Sequence, residues 1–572
     1  MSIEPIKRIV PLPATNWLIH LAVIFLLVGD AAPGINESHY LVKAKHAWDG
    51  AFAPGDIFLE STNAHGLFGF VAGAMSIFFT LETVAWLGRL AAWGIAAWAW
   101  IKLMQSMAIP TMLSPLLLAG WHLAVTWGNW AGEWAVGGFE AKSLAYPLVI
   151  ASLAVCICGR WSIGWILLGA ATALHCLAGG WAALSIGLVW CLFYKLEAPL
   201  RQQFPAIILA CAIALIGIVP AASGLTGHAA QGPAQIHTFM RLAHHLSPQL
   251  FTLERHLAGA FTLGMLVVVT GVFRCWFSDR LFLSKLDHRH NSFLTMYDDF
   301  PQRRRGILML LQIAWVAVGV ATIGIIIDVI IAPGFPAFSA SLLRFYWFRW
   351  FDIIVPLTWV ISLWSVGLGI QASYNSSTEQ RRDLDIISLG AGPLIVLGLL
   401  SLTLSARFYY HRVSDSIPPA DRRLFAPTPN LDTIDRHRVF FDWLAVCNWI
   451  NNNTPPDSLW LTPRYQQTFK WYAGRAEIYS WKDVPQDNRS VLEWYDRSRT
   501  CAQPRDAQGR VRDWTAEELR RLSSRYGFRW VLIDRRFQRS PPLLKLVFPA
   551  HDAQSGVSVI NSTYAVFYIP HD

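Results

Sequence analysis

Charge is what this chain has little of. Only 15% of its 572 residues are Asp, Glu, Lys or Arg, where a soluble globular protein carries about 25%. The shortage excludes an ordinary soluble domain over most of the length. Cysteine is scarce in any organised form. Of eight, Cys156, Cys158, Cys176, Cys191 and Cys211 lie in apolar runs and Cys275 at the end of one, where they read as small apolar side chains. Cys156 and Cys158 are two positions apart, on different faces of a helix, which argues against a metal pair. Cys447 and Cys501 lie in a polar tail, where an oxidising compartment would allow a disulfide; spacing alone leaves the pairing open. The tail has no Gly-rich phosphate loop and no metal-ligand spacing. The chain shows no convincing internal repeat, which counts against a transporter built from two repeated halves.

What is present is apolar sequence: 54% of residues are hydrophobic and 28 are Trp. Apolar runs separate the charged blocks, and about 20 residues at 1.5 Å each cross ~30 Å of hydrocarbon. The expected fold is therefore an all-α polytopic membrane protein. About eleven crossings are expected at 15–33, 83–101, 108–127, 142–159, 162–177, 180–194, 204–221, 256–274, 306–332, 351–370 and 385–406. Lys7, Arg8, Lys102, Arg160, Lys195, Arg201, the stretch Arg274 to Arg305, Arg381 and Arg382 then share one side. The positive-inside bias makes that side cytoplasmic, which leaves the N-terminus inside and the tail outside, across a bacterial inner membrane. The scheme closes only if "HGLFGFVAGAMSIFF" (65–79) is re-entrant or interfacial. No small-residue cleavage site follows the first run, so it reads as an anchor. The net charge of +9 is accounted for by the same cytoplasmic basic loop, and no nucleic-acid partner is expected.

Two domains follow: residues 1–410 in the membrane, with outer loops 34–64, 128–141 and 222–255, and 411–572 as a small extracytoplasmic α/β domain. In the tail, "TIDRHRVFFDWLAVCNWINNN" (433–453) has helical spacing and stops before Pro455-Pro456. "SLWLT" (458–462), "FRWVLID" (528–534) and "VSVINSTYAVFYI" (557–569) have strand character. "TAEELRRLSSRYG" (515–527) opens with a Thr515–Glu518 capping box. The stretches "KWYAGR" and "SWKDVP" read as turn and packing residues.

The ionisable residues that remain gather at the expected outer face. Glu37, His39, Asp56, Glu60 and His65 lie in the first loop, and Glu133, Glu140 and Lys142 in the second. "HTFMRLAHHLSPQLFTLERH" carries four histidines and two arginines; "RFYWFRWFD" carries Arg344, Arg349 and Asp352; His175 sits near the outer end of its run. Ionisable groups near membrane depth are costly, so they pair with one another or line a cavity. Any one of them is as well read as an interfacial anchor or a solvated loop charge. Taken together they point to a polar chamber opening outward. Carboxylates supply a general base, and arginines at span ends hold a phosphate whose tail stays in lipid. Such a chamber suits group transfer from a lipid-phosphate donor.

The stretch "INESHYLVKAKHAWDG" resembles the acidic first-loop motif of the GT-C superfamily, as in protein O-mannosyltransferases and aminoarabinose transferases. Glu37, Tyr40 and the Asp49-Gly50 end correspond loosely; Asn36 stands where the family has Asp. Glu140, in "GGFEAKSLAY", matches the family's second acidic residue, with Glu133 behind it. The whole chain is also similar to a bacterial membrane family of unknown function in which stretches like "GEWAVGGFEAK" and "RFYWFR" recur. The GT-C resemblance implies an inverting glycosyltransferase that uses a polyprenyl-phosphate sugar donor and a glycan, lipid or protein acceptor at the outer face. It implies Glu37 as base or metal-facing carboxylate with Glu140 assisting. A divalent cation, if used, would rest on Glu37 and Glu140. Arg344 and Arg349 would take the donor phosphate, while His39, Tyr40, His65, Glu133, Lys142 and His175 would line the sugar or acceptor pocket. A transporter of an anionic or lipidic solute and a non-catalytic scaffold remain the alternatives.

Overall fold

The computed structural model describes residues 14–225, 231–277, 300–377, 392–426, 428–549 and 561–570. Lys7, Arg8, positions 278–299 of the basic stretch, Arg381, Arg382 and residues 557–560 of the last expected strand lie outside them.

The described chain is mostly helical, and a helix lies at each of the eleven apolar segments. Five helical segments are long and apolar enough to cross a membrane: Leu81–Ser106, Cys176–Tyr194, Leu200–Ser223, Leu253–Cys275 and Pro301–Ile331. Ala14–Val28, Ala141–Ile157 and Trp161–Leu174 are apolar but shorter. Leu200–Ser223 leaves Ile208, Leu209, Leu215, Ile216 and Val219 exposed. Leu253–Phe277 does the same with Leu257, Phe261, Val267 and Val268. In water such contiguous apolar faces would associate; they are compatible with a membrane-embedded protein. Inside the bundle large aromatics fill the space, with Trp100 and Trp121 stacked at 5.2 Å between centroids and Trp93 fully buried. The stretch 65–79 forms a helix, Gly66–Phe78, about 20 Å long at 1.5 Å per residue. That is short for a bilayer.

Near the C-terminus a five-stranded sheet forms: β1 (Leu459–Leu461), β2 (Ala476–Glu477), β3 (Trp530–Asp534), β4 (Lys545–Phe548) and β5 (Tyr564–Tyr568). The order is β2-β1-β3-β5-β4, with β2, β1 and β3 parallel and β5 antiparallel to both neighbours. Side chains alternate across a strand, and β3 shows why the sheet needs two covers. Val531 and Ile533 pack with Trp494 and Leu519, whereas Leu532 packs with Trp443 and Cys447. The helix Thr433–Asn453 covers one face; Asn488–Thr500 and Ala516–Tyr526 cover the other. The capping box at Thr515–Glu518 is present, and the helix ends on Gly527 at φ 78°, the left-handed conformation that glycine adopts without strain. Cys447 and Cys501 are free buried thiols in two different apolar clusters, so the disulfide does not form. The helix Gly392–Asp415 runs through the expected 410/411 boundary, and the chain turns at Ser416 with φ 44°.

Candidate functional site

The buried polar cluster that stands where the sequence places a chamber begins with a charge inside an apolar helix. Arg89 projects from Leu81–Ser106 and is 1% exposed; in such surroundings a guanidinium needs a counterion. Glu37, at the start of the helix Glu37–Trp48, provides it. Arg89 Nε donates to Glu37 Oε1 at 2.7 Å and Nη2 to Oε2 at 2.5 Å. Two backbone amides complete the carboxylate: Gly34 N–H donates to Oε2 and Phe139 N–H to Oε1, each at 2.6 Å. A Cβ on Gly138 would sit 3.0 Å from Glu37 Oε1, so the "GGFE" stretch reaches the carboxylate because position 138 has no side chain. Glu37 thus ties the first loop, the second loop and the Arg89 helix together.

In this geometry Glu37, to which the resemblance gives the base role, is held by donors from three segments. Both its oxygens already accept two donors. Among the described residues no group of three His, Cys, Asp or Glu side chains is placed to hold a metal ion.

Next to this clamp stand two buried carboxylates in opposite surroundings. Glu133 accepts from Lys142 Nζ at 2.8 Å and pairs with Arg349 Nε at 2.5 Å. Burial pushes its carboxyl up, but Arg349 and Lys142 outweigh burial and hold it below the usual range. Glu140 caps the helix Ala141–Ile157 in a box with Ser143. Its oxygens accept from Asn36 Nδ2 at 3.2 and 3.3 Å, and the Lys142 ammonium stands 3.9 Å away. Burial therefore prevails, and the Glu140 carboxyl is raised. Two neighbouring carboxyls pushed in opposite directions are the arrangement in which one stays ionised and the other exchanges a proton.

Cations outnumber anions around Glu140. Asn36 Oδ1 accepts from Lys482 Nζ at 2.7 Å. Burial lowers the Lys482 ammonium to about 8, and Arg241 adds to the effect. Arg241 donates to the carbonyls of Trp481 and Lys482 at 2.9 and 3.2 Å and meets no carboxylate hydrogen bond among the described residues. Arg344 is half-buried and close enough to lower the His237 imidazole beside Arg241. Its guanidinium makes no hydrogen bond to a described residue. Tyr346, between Arg344 and Arg349, is held at φ 55°, a conformation that costs a bulky residue about 1–3 kcal/mol and concentrates at functional sites. The buried Nδ1 atoms of His65 and His237 have no hydrogen-bond partner among the described residues. Orphaned buried polar atoms of this kind call for an unrepresented partner.

The expected lining residues divide. Arg349 does not stand free for phosphate: besides Glu133 it reaches His175 Nε2 at 3.1 Å and lies 4.1 Å over the Tyr346 ring. His175 packs against His65 at 4.7 Å, and His65 against Tyr40 at 5.3 Å, so these four line one wall. His39 faces elsewhere. Its Nδ1 meets Asp483 Oδ1 at 2.8 Å while its ring stacks on Phe58 at 4.2 Å. Asp483 in turn pairs with Lys470 at 2.7 Å, and Lys470 with Glu477 and Asp56 at 2.8 and 3.2 Å. Burial lowers Lys470, yet these three carboxylates outweigh it and hold the ammonium well above its usual range. Asp352 anchors the second loop by accepting from the amides of Trp130, Ala131 and Glu133 at 2.7, 2.9 and 3.2 Å.

A family profile described as "Domain of unknown function (DUF6798)" matches residues 441–501. No curated protein matches the chain. The matched segment contains β1, β2 and the stretches "KWYAGR" and "SWKDVP". "KWYAGR" supplies Lys470 and "SWKDVP" supplies Asp483 to the buried ion cluster, while Lys482 of the second stretch reaches Asn36. Lys482 and Arg89 escaped the sequence reading. For Arg89 a signal existed, a lone arginine within a 26-residue apolar helix. For Lys482 there was none, because it lies 446 positions from Asn36.

Proposed function

We propose that this protein is a membrane glycosyltransferase that moves a sugar from a polyprenyl-phosphate donor to an acceptor hydroxyl, with inversion. The observation that carries the reading is Glu140, a buried carboxylate whose carboxyl is raised and which has the cations Lys142 and Lys482 beside it, with Arg241 next to Lys482. In the single displacement, Glu140 removes the acceptor proton as the acceptor oxygen forms its bond to the sugar C1. The C1–O(phosphate) bond breaks, the phosphate leaves with the electron pair, and the cations hold its growing charge. Attack from the side opposite the phosphate inverts C1. Glu133, clamped by Lys142 and Arg349, stays ionised and keeps Lys142 near Glu140.

The same reading places the chamber at the outer face. Lys102, Arg160, Lys195 and Arg201 then lie on the cytoplasmic side with the eleven crossings, and Gly66–Phe78 rests at the interface. Exposed Phe70, Ile77 and Phe78 on that helix suit contact with a prenyl chain. The test is release of polyprenyl phosphate from a polyprenyl-phosphate sugar by purified protein. Glu140→Gln keeps the Asn36 contact yet should lower turnover by about 10²–10⁴-fold, the usual worth of a general base. Wild-type turnover in that variant, or solute flux without transfer in sealed vesicles, refutes the proposal.

A further inference from the structure

Outside the chamber, a cavity of about 220 Å³ opens where β1 and β3 end, walled by Arg464, Tyr465, Gln503, Trp514, Asp534 and Phe537 among others. Topology puts it there. From β1 the chain goes to β2 on one side and returns to β3 on the other, so the loops leaving β1 and β3 diverge. The crevice at the carboxyl ends of parallel strands, where the winding reverses, is the place where α/β sheets take ligands.

The walls narrow the ligand class. The loop after β1, "TPRYQQT", has no glycine, so backbone amides are not opened into a phosphate cradle as in nucleotide sites. The cavity lies at strand ends and not along an edge, which disfavours an extended peptide that adds a strand. Aromatic faces are set around it, with Tyr465 and Phe537 6.2 Å apart between centroids. Polar groups rim them. Asp534 accepts from Arg536 at 2.6 Å, and the Gln503 side chain is anchored through its amide nitrogen to the Phe537 carbonyl at 2.8 Å, leaving its oxygen to accept. Flat apolar surfaces with hydrogen-bonding groups at their margins match a pyranose ring, apolar on its C–H faces and hydroxylated around its edge. Arg464 connects this cavity to the chamber: its guanidinium lies 4.3 Å over the Trp481 ring, against which Arg241 also packs at 5.6 Å.

We propose that the cavity at the ends of β1 and β3 is a saccharide-binding subsite that holds a glycan acceptor. The acceptor role rests on the transferase reading; saccharide binding itself does not. The test uses the purified full-length chain, a panel of neutral and uronic mono- and disaccharides observed by saturation-transfer NMR, and polyprenyl phosphate as a separate probe of the chamber. The expected result is binding of at least one saccharide, weakened about tenfold or more by Trp514→Ala and retained by Leu543→Ala on an exposed loop. Tyr465→Ala serves as the second variant should Trp514→Ala fail to fold. Saccharide binding that neither aromatic variant weakens overturns the inference, as does adenosine diphosphate binding lost in those variants. A chain that binds polyprenyl phosphate but no saccharide overturns this inference and spares the proposed function; binding of saccharide without polyprenyl phosphate does the reverse.

Discussion

Replacing Glu37 by Gln separates a positioning role from a catalytic one. The substitution turns one carboxylate oxygen into an amide donor. At either oxygen that donor meets two N–H groups, one from Arg89 and one from a loop amide. Two hydrogen bonds are lost, and the Arg89 guanidinium remains buried without a counterion, keeping one bond to the remaining side-chain oxygen and one to the Asp30 carbonyl at 2.5 Å. Removing one partner of a buried ion pair costs about 3–5 kcal/mol, which corresponds to a melting shift of roughly 3–4 °C for a chain of 572 residues. The assay is thermal unfolding in detergent beside transfer measured below the variant's melting range. A positioning role predicts that stability and transfer fall together. It also predicts that Glu37→Met combined with Arg89→Met recovers most of the stability, because well-packed apolar side chains replace buried pairs without large loss. Wild-type melting with abolished transfer in Glu37→Gln would refute the reasoning and return the base role to Glu37.

Three further outcomes are expected. Polyprenyl-phosphate binding should weaken as pH rises through about 8, where Lys482 loses its proton; Lys482→Arg should remove that dependence, and an unchanged pH profile assigns the phosphate to other cations. Burial, aided by Arg349, holds the His65 imidazole down at about 3, below its unfolded value of about 6.5. Its contribution is present above pH 6.5 and is lost toward pH 3 as the unfolded state takes up the proton first, by about 1.4 kcal/mol per pH unit; melting curves for His65→Gln should be flatter over that window. Cys447 and Cys501 should resist maleimide until the protein unfolds and then both react, and mobility on non-reducing gels should not change with reductant.

The elements of the C-terminal domain were legible because their signals are local. A capping box, a terminal glycine and alternating apolar residues place Ala516–Tyr526 and β3 without reference to the rest of the chain. The site was legible only in part. Glu140, Glu133 and Lys142 share one short segment, so their grouping follows from the chain itself. Glu37 was visible as a buried-loop acid, yet its role turned on Arg89, 52 positions away. Arg349 looked free for phosphate because its counterion, Glu133, is more than two hundred positions distant.

The order of apolar runs by itself determined that the chain is a bundle of helices with apolar faces, since hydrocarbon length and the 3.6-residue period act within each segment. It also determined that scarce charges would have to be paired or cavity-lining. Which charges pair was decided only by tertiary structure. Partner choice depends on distance in space, and a carboxylate saturated by Arg89 differs chemically from one touched by Asn36. That difference, absent from the residue types, is what suits Glu37 to tying segments together and Glu140 to the base role proposed for it.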